Sequence, residues 1–306
     1  MAKILASDLN TIRTKVTDVL GSGSASFGYG QTVYSSPVTS GQVIREDQWD
    51  AVRFDILNTY VHQTGNIPSA IDVSIGDTIE DDAAGAYKNY EYFADLLRNN
   101  RFDIATGQFD IKQEGDVDAA RLAGTTKNTS STWSNNASAE LNVTFNNATE
   151  ARHFFNAGGA IRIITTLTGG TTQQAGAWTT LLNNQNPVDF EGDIIAATGF
   201  YTLTNSYQTY FSRAASTPYS ANLYQLKAKS DVANNSAGTA TQVDIKIELI
   251  DNYVDLGPPN PPIDLVDGTL QIAVNEKLPV GILKPTNTAW AEYPPNSYTM
   301  SAITVS

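Results

Sequence analysis

The chain has 306 residues, a formal net charge of -13 and no cysteine. Nucleic acids and anionic membranes are bound mainly through lysine and arginine, so this charge argues against both as partners. Without cysteine there are no disulfides, thiolate nucleophiles or sulfur ligands for zinc or iron. The length favours two domains, or one elaborated β domain with an appendage.

The start of the chain has no basic region followed by an apolar run, so we expect no signal peptide. Every apolar stretch is shorter than the roughly 18 residues that a membrane-spanning helix needs. We therefore expect synthesis in a cytoplasm and no membrane partner.

The first predicted element is an amphipathic helix. It is predicted to begin at Ser7 or Asp8, which are good N-cap residues, and to end at Gly21. Its apolar residues recur at helical spacing: Leu9, Ile12, Val16 and Val19. The glycine- and serine-rich segment 21–30 predicts a flexible loop that either swings or packs closely against a neighbour.

Two more helices complete a predicted helical domain. The second begins near Glu46 and Asp47, whose negative charges suit a helix N-terminus, and ends at Gly65. Its apolar residues repeat on one face: Trp49, Val52, Ile56, Leu57, Tyr60 and Val61. The third covers about residues 84–98 and brings together Tyr90, Phe93, Leu96 and Leu97.

Beyond residue 105 the pattern changes from helical spacing to alternation. In residues 241–250 four apolar residues alternate with charged ones, which predicts a half-buried antiparallel strand. Weaker alternation predicts strands at residues 141–145, 161–167, 200–203, 223–229, 270–274 and 298–305. Two short helices are predicted at residues 149–155 and 176–182, and the proline-rich segment 257–262 is predicted to be a strap or hinge.

These elements predict an α+β fold. Residues 1–105 form a small N-terminal helical domain for docking and assembly, and residues 106–306 form a larger antiparallel, jelly-roll-like β-sandwich with two short helical insertions. A parallel sheet is not expected because it would need long helices between its strands.

We predict no catalytic, cofactor-binding or metal-binding residue, and no enzymatic activity. The two histidines, His62 and His153, have no second ligand at metal-binding spacing. The loop 21–30 lacks both the Gly-x-Ser-x-Gly of a hydrolase and the Lys-Ser/Thr ending of a phosphate-binding loop.

We also consider acidic and aromatic residues as ligand-binding or catalytic groups. The acidic group Asp72, Asp77, Glu80, Asp81 and Asp82 lacks calcium-loop spacing, so we interpret it as a solvated loop. Paired carboxylates for glycoside cleavage stay open, because their separation depends on the fold. An aromatic group indicates either core and interface packing or a glycan-binding platform; it comprises Tyr201, Tyr207, Tyr210, Phe211 and Tyr219, with Trp133 and Trp178 as further candidates.

Two blocks of sequence resemble virion structural proteins of tailed bacteriophages, especially of cyanobacterial phages. The first runs from ASDLNTI at Ala6 through VLGSG and GYGQ to QWDAVR at Gln48. The second is ARHFFNAGG at Ala151, followed by IRI at Ile161 and AWTTLL at Ala177.

The resemblance implies a virion component in the tail, baseplate, neck or a fibre. It implies that the partners are other virion proteins and copies of the chain itself, as a homotrimer first and a ring around a tube next. The helical domain would dock and the sandwich would form the body. The alternative is a module that recognises a host-surface glycan.

Overall fold

The chain forms two compact units. A computed structural model describes residues 4–68, 74, 86–192, 198–253, 265–282 and 289–306. The helical unit comprises Met1–Asp110, Arg152–Gly159 and Leu278–Tyr293, and the sandwich unit comprises Ile111–Ala151, Ala160–Lys277 and Pro294–Ser306. The helical unit thus includes two later segments of the chain, whereas the sequence predicts a single boundary after residue 105. The fold class is α+β with antiparallel sheets, as predicted.

Three helices build most of the helical unit: α1 (Ala6–Leu20), α2 (Glu46–Thr64) and α3 (Ala86–Asn99). Their apolar side chains form one buried cluster, which includes Leu9, Ile12, Val16, Trp49, Val52, Ile56, Tyr90, Phe93 and Leu97. The rings of Trp49 and Tyr90 meet edge to face, 5.2 Å between centroids. Burial of these side chains is the main favourable contribution to packing here.

The start of α1 differs from the prediction of a cap at Ser7 or Asp8. The helix begins at Ala6, and the flanking residue is Leu5. Asp8 instead lies in the first turn, where its carboxylate accepts a hydrogen bond from the Leu5 backbone N–H at 2.7 Å. A carboxylate in this position satisfies a free N–H of the helix start and interacts favourably with the helix dipole.

Helix α2 is buried on more than the one face that its apolar pattern predicts. Asp55, on another side of the helix, is fully buried. Its carboxylate accepts hydrogen bonds from the backbone N–H groups of Tyr34 and Ser35, at 2.8 and 3.1 Å, and from the Ser35 hydroxyl at 2.5 Å. Burial raises the pKa of Asp55, although these hydrogen bonds oppose the shift. The segment between α1 and α2 therefore covers a polar side of α2.

The glycine-rich loop 21–30 packs closely, which is one of its two predicted behaviours. The backbone N–H of Tyr29 donates to Val19 O at 2.8 Å. Gly28 has a φ of 101°, and a Cβ there would overlap the carbonyl of Ser22. The guanidinium groups of Arg98 and Arg101 lie 4.6 and 4.4 Å from the centroid of the Phe27 ring. The loop is thus held by hydrogen bonds and cation–π contacts within the helical unit.

Antiparallel sheets and two helices make up the rest of the fold. The strands are β1 (Phe109–Lys112), β2 (Lys127–Thr129), β3 (Asn136–Thr144), β4 (Ala160–Thr168), β5 (Val188–Phe190), β6 (Gln208–Ala214), β7 (Leu223–Ser230), β8 (Gln242–Ile250), β9 (Thr269–Pro279), β10 (Ser297–Met300) and β11 (Thr304–Val305). The helices are α4 (Ala148–Asn156) and α5 (Gln173–Gln185). A five-stranded sheet has the order β1-β9-β4-β5, with β2 also paired to β9. A six-stranded sheet has the order β10-β3-β8-β7-β6, with β11 also paired to β3.

The core of the sandwich unit lies between the inner faces of these sheets. Strand β8 has fully buried inner residues and half-exposed outer residues, as predicted from its alternation. The inner residues are Val243, Ile245, Ile247 and Leu249. A hydrogen bond of 3.0 Å joins the hydroxyls of Thr165 in β4 and Tyr224 in β7, and thus links the two sheets.

Several predicted elements differ in detail from the structure. The strand predicted at 200–203 is wrong: Phe200–Thr202 is a 3₁₀ turn, in which Phe200 and the next residue are both buried, unlike in a strand with one solvated face. The strand predicted at 298–305 is interrupted at 301–303, where the Ser301 hydroxyl accepts from the Glu140 N–H at 2.9 Å. Both predicted short helices are present and are longer than predicted. The proline-rich segment 257–262 lies outside the described residues.

Candidate functional site

The outer face of the six-stranded sheet carries paired charges. Lys227 and Lys246 lie 2.5 and 2.7 Å from the carboxylate of Glu248. Although partial burial opposes the shift, hydrogen bonds from these two lysines lower the pKa of Glu248. Ion pairs of this kind contribute little to stability because water screens them. Glu248 thus offsets one of the two lysine charges in this part of the face.

A groove of about 300 Å³ lies beside these pairs on the same face. We call it the Tyr207 groove; it is lined by Glu140, Leu141, Asn142, Tyr207, Lys229, Asp244, Thr299, Met300 and Ser301. Strand register explains how these residues meet. Thr299 in β10 is opposite Asn142 in β3, Asn142 is opposite Asp244 in β8, and Asp244 is opposite Lys229 in β7. Four strands therefore contribute one polar residue each to a row that crosses the sheet.

The middle of this row is connected by short polar contacts. The Asn142 amide donates to one oxygen of Asp244 at 2.5 Å, and the Gln242 amide donates to the same oxygen at 2.9 Å. The other oxygen of Asp244 lies 3.5 Å from Nζ of Lys229. These partners fix the Asp244 carboxylate and leave the amide oxygen of Asn142 without a hydrogen bond to any residue that the structure describes.

Tyr207 forms one wall of the groove. Nζ of Lys229 lies 4.8 Å from the centroid of its ring, within the range of a cation–π contact. Partial burial raises the pKa of Tyr207 to about 12, and the carboxylates of Glu140, Asp244 and Glu248 add to this shift. The Tyr207 hydroxyl therefore stays protonated at neutral pH and can donate a hydrogen bond.

Three side chains at the groove have hydrogen-bonding capacity that the protein does not use. Within the described parts of the chain, the side chains of Glu140, Tyr207 and Thr299 make no hydrogen bond to another residue. The carboxylate of Glu140 can only accept, whereas the two hydroxyls can donate and accept. The arrangement can thus bind a small ligand that carries several hydroxyl groups.

The predicted aromatic group does not form a surface platform. Tyr201 and Tyr219 are buried in the sandwich unit. The Tyr210 ring packs edge to face against Phe190, 5.1 Å between centroids, and burial raises the pKa of its hydroxyl well above the usual value. Trp133 and Trp178 are also buried, and Phe211 packs against Tyr224. Of the five clustered aromatic residues, Tyr207 is the one that lines the groove.

The two histidines have structural surroundings. His62 is buried, its Nε2 lies 2.9 Å from Ala157 O, and its ring stacks on Trp290 with 4.1 Å between centroids. Burial lowers the pKa of His62 to about 4, against the effect of the hydrogen bond to Ala157. Nε2 of His153 lies 3.1 Å from Ser22 O. The acidic group predicted as a solvated loop, from Asp72 to Asp82, lies outside the described residues.

Sequence reasoning did not identify the row of Lys229, Asp244, Asn142 and Thr299. Alternation shows which residues of a strand face outward, but a row depends on which strands are neighbours and on their register. All four residues lie on strands that the sequence predicts, so the face to which each side chain points can be predicted, whereas their proximity cannot.

Over the described ranges, no group of three or more histidine, aspartate or glutamate residues is placed to hold a metal ion. None of the helices in those ranges combines the length and the apolar character that crossing a membrane requires. Comparisons with protein-family models, with curated proteins and with solved structures each found no match.

Proposed function

We propose that the chain is a structural subunit of a tailed-phage virion and acts through protein–protein assembly. The observation that carries the proposal is the way in which the two blocks of the resemblance meet. Although 97 residues, 54–150, lie between them in the sequence, parts of both lie in the helical unit and pack against each other.

The contacts between the two blocks are specific. The Asn156 side-chain amide donates to Gly28 O at 3.2 Å. Val19, Tyr29 and Ala157 form a buried apolar cluster. The parts of the two blocks that lie in the helical unit thus belong to one packed unit, which is what we would expect of a shared assembly module.

The proposed role needs no catalytic residue. The chain would assemble with copies of itself, as a homotrimer first and as a ring around a tube next, and with other virion proteins. The helical unit would dock, and the sandwich unit would form the body. The proposed location in the virion is the tail, the baseplate, the neck or a fibre.

Quantitative mass spectrometry of purified particles tests this proposal. We expect the chain in a fixed number of copies per particle, unchanged by washing at high salt. Recovery of the chain only from the soluble fraction of infected cells would contradict the proposal.

A second candidate function is recognition of a host-surface glycan, and the Tyr207 groove favours it. Its convergent hydroxyl, amide and carboxylate groups match the groups that bind sugars. Adsorption of particles to host cells tests it with Tyr207→Ala. We expect weaker adsorption with unchanged assembly; unchanged adsorption would contradict it. Tyr210→Ala is unsuitable for this test because the Tyr210 hydroxyl is buried in the fold.

A further inference from the structure

We infer that the Tyr207 groove binds a neutral saccharide and discriminates against acidic sugars. This inference rests on the second proposed function, glycan recognition, and specifies both the site and the ligand class. It follows from the hydrogen-bonding groups that the groove leaves unused, from their charges and from their alignment across the sheet.

The unused groups at the groove are two acceptors and the hydroxyls of Tyr207 and Thr299, which can donate and accept. The carboxylate of Glu140 accepts no hydrogen bond from the described residues. The Asn142 amide oxygen accepts none from them either, whereas the amide nitrogen of the same side chain donates to Asp244. The Tyr207 hydroxyl adds a donor. A ligand that presents several hydroxyl groups supplies donors to the two acceptors and accepts from the tyrosine. A bond to a carboxylate is charge-assisted and is stronger than one between neutral groups.

The charges of the groove disfavour an anionic ligand. Lys229 is already engaged, with Asp244 at 3.5 Å and with the face of the Tyr207 ring at 4.8 Å. Glu140 is the remaining charge in the lining, and it is negative. Lys246 lies opposite Glu140 in the strand register, but it is engaged with Glu248 at 2.7 Å. A uronic acid or a phosphorylated sugar would thus meet the charge of Glu140, while the two lysines next to it on the described strands already have carboxylate partners.

The size and shape of the groove suit a short stretch of a sugar chain. Its volume of about 300 Å³ is at the lower end of ordinary small-ligand sites. Its polar row runs from Thr299 in β10 to Lys229 in β7, across four strands. A chain lying along this row would present successive hydroxyl groups to Thr299, Asn142 and Tyr207.

A cationic peptide is the main competing ligand, because the net charge of the lining is negative. The observations favour the saccharide: Lys229 already occupies the aromatic face that a peptide lysine or arginine would use. Lys229 also neutralises Asp244, so a peptide would find one carboxylate, Glu140, rather than a cluster.

An array of printed oligosaccharides tests the inference on the full chain. It would carry neutral hexose oligomers and the same oligomers bearing uronic acid or phosphate. The variants are Tyr207→Phe, which keeps the ring and removes the hydroxyl, and Glu140→Gln, which removes the charge. Tyr92→Phe is the matched control, because Tyr92 is 61% exposed on α3 and does not line the groove. Thermal unfolding would confirm that all variants are folded.

We expect wild-type protein to bind neutral oligomers, with little effect of salt. Tyr207→Phe and Glu140→Gln should each weaken this binding about tenfold, which corresponds to the loss of one good hydrogen bond. Glu140→Gln should also reduce the discrimination against acidic oligomers, and the control should bind like the wild type.

The possible failures are distinguishable. Binding of neutral glycans that neither groove variant weakens, or a preference for acidic glycans, would overturn the inferred site and leave glycan recognition standing. Failure of the wild type to bind any glycan would overturn both. Binding of an oligolysine peptide in place of glycans, lost at high salt, would identify the groove as a cation site and overturn the inference.

Discussion

Helix α2 of the helical unit and strand β8 of the sandwich unit place their polar residues differently. Helix α2 buries Asp55, His62 and Gln63. Gln63, for example, donates to the Tyr29 hydroxyl at 2.8 Å and to Leu97 O at 2.9 Å. In the six-stranded sheet, by contrast, polar residues of the central strands face outward and pair with each other. Polar residues are thus part of the core around α2 and part of the surface along β8.

This difference predicts where single substitutions will be costly. The largest effect is expected for Ile247→Ala on the inner face of β8, where the side chain is fully buried. Loss of buried methyl groups and the remaining cavity should lower the free energy of unfolding by about 2–5 kcal/mol. Urea unfolding of the purified chain measures this. A loss below about 1 kcal/mol would show that the inner face is not tightly packed.

The loop of the helical unit gives a second test, with a matched control. Gly28→Ala should destabilise by about 2–3 kcal/mol, because φ is 101° and the new Cβ would overlap the Ser22 carbonyl. Gly41→Ala should cost less, since φ is also positive but no atom lies within 4 Å of the added Cβ. Thermal unfolding compares the two variants. Equal losses would contradict the close packing of the loop.

Protonation of His62 should destabilise the helical unit as the pH falls. Its pKa is about 4 in the folded chain and about 6.5 when unfolded, so the unfolded chain binds the proton first. The contribution of neutral His62 to the free energy of unfolding is fully present above pH 6.5 and decreases as the pH falls toward 4. Between pH 7 and pH 5 we expect the free energy of unfolding to fall by about 2 kcal/mol. Urea unfolding at several pH values measures it. His62→Phe, which keeps an aromatic ring beside Trp290, should remove this slope; an unchanged slope would mean that another group causes it.

The smallest effect is expected on the outer face of the same strand. Lys246→Ala removes one partner of an ion pair in which the lysine side chain is 32% exposed. We expect a loss of less than about 0.5 kcal/mol, because solvent screens the pair. The same urea measurement that serves Ile247→Ala applies. A loss near that of Ile247→Ala would contradict the assignment of an outer and an inner face.

The same difference explains which parts of the fold the sequence predicts. The two faces of β8 can be predicted because polar and apolar residues alternate along the strand and therefore point to opposite sides of the sheet. The burial of Asp55 cannot be predicted from the sequence, because its hydrogen-bond partners, Tyr34 and Ser35, lie in a segment without helical or strand periodicity. The strand predicted at 200–203 is wrong because its apolar residues form a buried 3₁₀ turn, and apolar residues alone do not distinguish the two. The Tyr207 groove depends on strand register, which a single sequence does not specify.

Cross-linking of purified particles through lysine tests the proposed assembly most directly. Lys15 and Lys88 lie in the helical unit, whereas Lys227 and Lys246 lie on the outer face of the six-stranded sheet. We expect the helical-unit lysines to link to other virion proteins, and further links to join copies of the chain in a fixed ratio. Particles that lack the chain, or a chain whose lysines link to nothing but itself within one copy, would contradict assembly as its function.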